Sequence, residues 1–216
     1  AWVTPAPAAT LLTEDFNGAF LGEAWQVIDD SPDMRALDEG KLSVVTETGS
    51  LSKGKIKNLL LTREALTAKN ADIALKFEMD IQSYGGDWAS RAYAGIIMQV
   101  NAGSFMAAYV TNYGASYNSD TGPYGVYEKR WKGSAKPYLL AKLAGKKTGV
   151  MDFFLKIEKR SYKYTALFSL DGEKWKRLGT FAILNSLPKI GLIAYHGKNG
   201  SEAIVAFDDF KISEVK

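Results

Sequence analysis

A chain of 216 residues, 46% of them apolar, is long enough to bury a substantial core and suits one large β domain. It has no cysteine, which excludes disulfides, and no apolar run approaching the ~20 residues of a membrane-spanning helix. Its 27 basic and 24 acidic residues leave a formal charge of +3 and are interspersed, so no basic stripe exists of the kind that grips nucleic acid.

Residues 1–10 are rich in Ala and Pro and read as a linker or a mature N-terminus, with one domain over 11–216. Strands are expected near 10–16, 24–29, 41–47 and 56–62. The run Ile73, Leu75, Phe77, Met79, Ile81 alternates with Lys76, Glu78 and Asp80, the period of a half-buried antiparallel strand. Further strands are expected at 92–100, 105–112 and 124–131. Phe153, Leu155 and Ile157 alternate with Lys156 and Glu158, and Tyr164, Ala166, Phe168 and Leu170 with Thr165 and Ser169. Strands near 174–179, 189–195 and 203–213 complete the set. Residues 62–69 and 134–143 have room for a turn or a short helix, the second limited by Pro137. Glycine-rich or polar turns separate the strands, and such a succession implies an all-β fold of two packed antiparallel sheets.

Three polar-aromatic clusters follow strands. The first runs from Tyr84 through Asp87 and Trp88 to Arg91; the second holds Tyr113, Tyr117, Asn118, Tyr124 and Trp131; the third is centred on His196. Aromatic rings ringed by polar groups suit pyranoses, whose C–H faces need an apolar surface and whose hydroxyls need partners. Against this, Tyr109, Tyr127 and Trp131 lie within strands, where aromatics fill a core. A lone histidine at a strand end also serves as a hydrogen-bonded structural residue. Asp171-Gly172 suits a tight hairpin because both residues tolerate positive φ, and Trp175 on the return strand can cover a sheet face.

The order Ser169-x-Asp171-Gly172-x-x-Trp175, then Lys189 to His196, then Phe207-Asp208-Asp209-Phe210 resembles the last third of concanavalin A-like β-sandwich (jelly-roll) domains. The stretch from Leu12 to Val27, with Asp15-Phe16-Asn17-Gly18 ahead of Trp25, and Asp38-Glu39-Gly40-Lys41-Leu42 are similar to the opening of that superfamily. The likeness extends to the laminin-G-like module that ends bacterial β-xylosidases and arabinofuranosidases. It implies a lectin-like carbohydrate-binding or accessory module from a bacterium, secreted, periplasmic or on the cell surface. Its partners would be a polysaccharide or oligosaccharide and a catalytic domain in the same parent protein. It also implies a structural Ca2+ held by the carbonyls of Asp15 and Gly40 and the side chain of Asp209. Oxygen ligands in flexible geometry are what calcium takes. The alternative for Asp208 and Asp209 is that they cap loop amides or pair with a lysine.

Two other readings stay open. A hydrolase needs paired carboxyls roughly 5–5.5 Å apart for the retaining reaction. Glu78-x-Asp80-x-Gln82 is similar to the acidic strand of laminarinase-like enzymes, but the third position is an amide, and Phe105–Thr111 carries no carboxylate. A glycoside hydrolase or lyase would then use a non-standard site. A laminin-G-like structural or adhesion domain is the third reading.

Overall fold

The computed structural model describes residues 9–81, 91–113, 122–132, 134–135, 139–143, 149–184, 186–198 and 200–216. In chain order the strands are β1 (Ala9–Glu14), β2 (Trp25–Ile28), β3 (Arg35–Asp38), β4 (Lys41–Val45), β5 (Leu59–Thr62) and β6 (Asn70–Ile81). Then come β7 (Ala92–Asn101), β8 (Ser104–Tyr113), β9 (Gly122–Trp131), β10 (Ser134–Ala135) and β11 (Leu139–Lys142). The last five are β12 (Gly149–Arg160), β13 (Lys163–Ser169), β14 (Lys176–Ala182), β15 (Lys189–His196) and β16 (Ile204–Glu214).

They form two antiparallel sheets packed as a sandwich. The first runs β14-β13-β12-β6-β16-β4-β3, with β1 also on β16; the second runs β10-β9-β8-β7-β15-β5-β2, with β11 also on β9. No α-helix occurs among the described residues, and no described helix is long and apolar enough to cross a membrane. Residues 63–69 are irregular instead of helical, and 134–143 contributes the short strands β10 and β11. Residues Arg35–Asp38 add a strand that the sequence pattern left unread.

The alternation of β6 has the expected result. Ile73, Leu75, Phe77, Met79 and Ile81 are buried, and the Phe77 ring meets Phe153 at 5.5 Å and Phe207 at 6.0 Å. On β16 the period breaks, because Val205 and Phe207 face inward but so do Phe210 and Ile212. A bulge between Phe207 and Asp209 inserts one extra residue, which restores the inward parity for the second pair. The paired aspartates sit at that bulge. Asp208 forms an ion pair with Lys76, and Asp209 is exposed, so neither carboxylate is buried unpaired.

The second sheet is buried on both faces at its centre, which is why β7 and β15 read as nearly continuous apolar runs. Its inner face meets the first sheet; the Tyr127 hydroxyl donates to the Tyr164 carbonyl at 2.9 Å, and burial pushes the Tyr164 phenol up to about 12. Its outer face lies under a strap formed by residues 46–58. Gly49 N–H donates to the His196 carbonyl and His196 N–H to the Glu47 carbonyl, locking the strap to the end of β15. A single 3-10 turn, Leu51–Lys53, follows and ends at Gly54 with φ of 64°. Leu51 and Ile56 are 5% and 3% exposed against the sheet, and their burial contributes about 3–6 kcal/mol toward holding the strap down.

The Asp171-Gly172 link is longer than a two-residue hairpin. Only Gly172 has positive φ, and the Asp171 carboxylate accepts the backbone N–H groups of Glu173 and Lys174. These bonds lower its pKa to about 2. Trp175 lies on the outer side of the first sheet, with the Lys156 ammonium 4.9 Å from its ring.

Candidate functional site: a tyrosine cleft under a strap

Between the strap and the outer face of the second sheet lies a cleft of about 600 Å3. Its sheet side presents Tyr93 from β7, Tyr109 from β8, Val126 and Glu128 from β9, and Tyr195 from β15. Strand register brings them together. Tyr195 pairs with Tyr93, and Tyr109 sits one step along beside Gly95. Tyr93 and Tyr195 stack at 4.7 Å with planes 15° apart, and Tyr109 meets Tyr93 edge-on at 5.6 Å and 77°. Gly95 makes this arrangement possible, since a Cβ there would lie 2.9 Å from the Tyr109 Cβ and 2.3 Å from the Ala108 carbonyl. On the strap side, Gly49 lies directly on Tyr195, where an added Cβ would come within 2.9 Å of its Cβ.

Glu128 is the one carboxyl among the described residues lining the cleft. The Tyr109 hydroxyl donates to its Oε2 at 3.1 Å. Burial raises the Glu128 pKa, against the lowering effect of the Tyr109 hydrogen bond and the Arg130 guanidinium. Burial also pushes the phenols of Tyr109 and Tyr195 well up, so both remain neutral donors. Arg130 donates to the Ser52 carbonyl, tying β9 to the strap, and Lys53 and Lys198 are exposed where they line the cleft.

None of the described sequence-predicted sugar residues is among the described residues lining this cleft. Arg91 and His196 are 4% and 6% exposed; the Arg91 carbonyl accepts Gly197 N–H, and His196 Nδ1 lies 2.8 Å from the Gly197 carbonyl. Both hold strand ends in place. Tyr124 is half-buried beside Thr111, and Trp131 packs against the inner core, with the Lys129 ammonium 5.4 Å from its ring. Tyr84, Asp87, Trp88, Tyr117 and Asn118 lie outside the described residues, as does the side chain of Tyr113. The strand ends that flank these segments do converge: the start of β7, the end of β8, the start of β9 and the end of β15 share one end of the second sheet.

Of the strand aromatics expected to fill a core, Tyr127 is in the cluster between the sheets, and Tyr109 is buried in a second apolar cluster on the outer face, where it also lines the cleft. Sequence reasoning passed over Tyr93 and Glu128, whereas Tyr195 belongs to the third polar-aromatic cluster, centred on His196. The signal for Glu128 was present: with Tyr127 inside, the alternate positions 124, 126, 128 and 130 must share the other face. The acidic strand fares differently. Glu78 lies on the outer face of the first sheet, on the opposite side of the sandwich, where Lys41 forms an ion pair with it.

The calcium candidates meet at another corner. The last β1–β16 pair is Glu14 with Phe210, which leaves Asp15 beside Asp209, while Leu42 of β4 pairs with Phe207 just across the bulge. Gly40, with φ of 73°, forms the β3–β4 turn, and a Cβ there would lie 2.6 Å from Asn17 Oδ1. Asn17 donates to Asp15, which lowers the Asp15 pKa. This is a corner of hard oxygen donors, fit for calcium in type, although no group of three or more acidic or histidine ligands occurs among the described residues. Next to it, Trp25 donates to Glu14 Oε2 at 3.0 Å and packs on Phe210 at 5.1 Å, tying the first and last strands together.

Among solved structures, the chain is similar to the GH43 protein BlXynB of Bacillus licheniformis, at 20% identity and a TM-score of 0.72 over 94% of this chain and 39% of that one. The xyloglucan GH43B protein of Bacteroides ovatus matches at 18% and 0.72, again over 94% and 39%. The CBM2 module of the evolved Dit protein of Lactobacillus casei BL23 phage J-1 matches at 10% and 0.61, over 97% of both chains. The chain therefore spans about two fifths of the GH43 structures it matches. No curated protein matches it. Residues 13–213, from the end of β1 through most of β16, match the β-xylosidase C-terminal concanavalin A-like domain, and the chain belongs to that family.

Proposed function

We propose that this domain is a non-catalytic, extracellular carbohydrate-binding module that works beside a GH43 catalytic domain in its parent protein. The observation that carries the reading is the cleft in which Tyr93, Tyr109 and Tyr195 meet a single hydrogen-bonded carboxyl. Apolar walls with a few placed polar groups are the usual make-up of a small-ligand site. The three rings are 6–9% exposed, so a sugar meets ring edges and hydroxyls near the strap, and the strap itself forms one wall. With one carboxyl among the described lining residues, the cleft lacks the pair that glycoside hydrolysis uses. The likeness to a CBM2 module over nearly the whole of both chains supports a binding role.

The test is affinity electrophoresis on a polysaccharide panel, followed by a reducing-sugar assay on each hit. Retardation without products, weakened by Glu128→Gln, is expected. New reducing ends would move the case to an enzyme, and no retardation on any glycan would favour a structural or adhesion domain. We also propose one structural calcium at the corner of Asp15, Gly40 and Asp209, where it would tie the first strand to the last.

A further inference from the structure

The cations around the cleft are not distributed as they are over the rest of the surface. Basic and acidic residues nearly balance along the chain, 27 against 24, yet the strap over residues 46–58 carries Lys53, Lys55 and Lys57 against the single acid Glu47. Lys53 lines the cleft from the strap, and Lys198 lines it from the turn after β15. Both are exposed, and neither is paired with a carboxylate among the described residues. The only described carboxyl in the lining is already engaged, with the Tyr109 hydroxyl 3.1 Å away. Burial raises its pKa, against the lowering effect of the Tyr109 bond and of Arg130. Arg130 adds a third positive charge where β9 meets the strap at Ser52. The cleft thus combines an aromatic floor with two free ammonium groups at its edge.

We propose that the cleft selects an acidic sugar, a polysaccharide bearing uronate branches, whose carboxylate is held by Lys53 and Lys198 while its ring packs toward Tyr93 and Tyr195. This rests on the carbohydrate-binding reading above and names the ligand class for that same site. Exposed ion pairs are individually weak, so the charge supplies preference while the aromatic floor supplies the larger part of the affinity.

The experiment is calorimetric titration of the whole chain with glucuronoxylan and with the same polymer after its carboxyl groups have been reduced to alcohols. The native polymer is expected to bind roughly 5–10-fold more tightly. In about 1 M NaCl, or in the K53Q/K198Q variant, the preference is expected to fall below about twofold, because screening or loss of the ammonium groups removes its source. A thermal midpoint of that variant within about 1 °C of the parent's shows that the fold is intact, since both lysines are exposed. Equal affinity for both polymers overturns the acidic-sugar inference and leaves the carbohydrate reading standing. Binding of dextran sulfate as tight as that of glucuronoxylan also overturns it, by reducing the site to an ion exchanger. Binding of neither xylan removes both readings.

Discussion

Tyr109→Phe removes one hydroxyl from the cleft and tests whether the half-buried Glu128 is an ionisable partner of that hydroxyl. The ring keeps its edge-on contact with Tyr93, so packing is conserved and only the bond to Glu128 Oε2 is lost. Tyr109 is 6% exposed, so solvent does not readily replace the lost donor. A hydrogen bond to a charged partner is worth about 1.5–3 kcal/mol, and one between neutral partners about 0.5–1.5 kcal/mol. The cost of the substitution therefore depends on pH. Burial raises the folded-state pKa of Glu128 above its unfolded value, so the folded protein binds this proton more tightly. The parent chain loses stability on that account as pH rises from the unfolded value through the folded one. The Tyr109 bond holds the folded pKa down; without it that pKa rises further, and the variant loses more across the same window. For a chain of this length about 1 kcal/mol moves Tm by about 2–4 °C, so a drop of about 3–12 °C is expected near pH 8 and a smaller one, about 1–6 °C, near pH 4. Thermal unfolding followed by circular dichroism at both pH values measures it. An equal drop at both, or a larger one in acid, would refute the assignment of an ionisable partner to Tyr109.

Chelation with EDTA is expected to lower Tm, and added calcium to restore it, by about 2.7 kcal/mol of linkage at a hundredfold excess over Kd. Asp209→Asn should abolish that response, and a Tm indifferent to calcium in the parent chain would dismiss the ion. Asp171→Ala should free the turn before β14, seen as faster hydrogen exchange at the Glu173 and Lys174 amides while the β6 amides stay protected. Because the folded Asp171 pKa is about 2 against an ordinary 3.8, its contribution is complete above the ordinary value and is lost as pH falls toward about 2. Exchange at those two amides that is unchanged by the substitution would contradict the capping role.

Membership of the family and the two-sheet architecture were legible because their signals are local. Period-2 alternation on β6, β12 and β13 marks half-buried strands without reference to any partner, and the matched stretch around Asp15, Trp25 and Gly40 reflects contacts that close one corner of the sandwich. The bulge at Asp208 was partly legible, as a break in parity between Phe207 and Phe210, although the sequence did not say that Lys76 would meet the first aspartate. The cleft was legible least. Tyr93 and Tyr195 lie in strands that are apolar at both parities, where periodicity carries no facing information.

Alternation along one strand thus determined which residues share a face, and the succession of strands separated by short turns determined that the chain would form two packed sheets. Which face lies under the strap was decided only by the tertiary structure. Parity is a property of a single strand, whereas the meeting of Tyr93, Tyr109, Tyr195 and Glu128 depends on the register of four strands and on a segment that crosses them from more than thirty positions away in the chain.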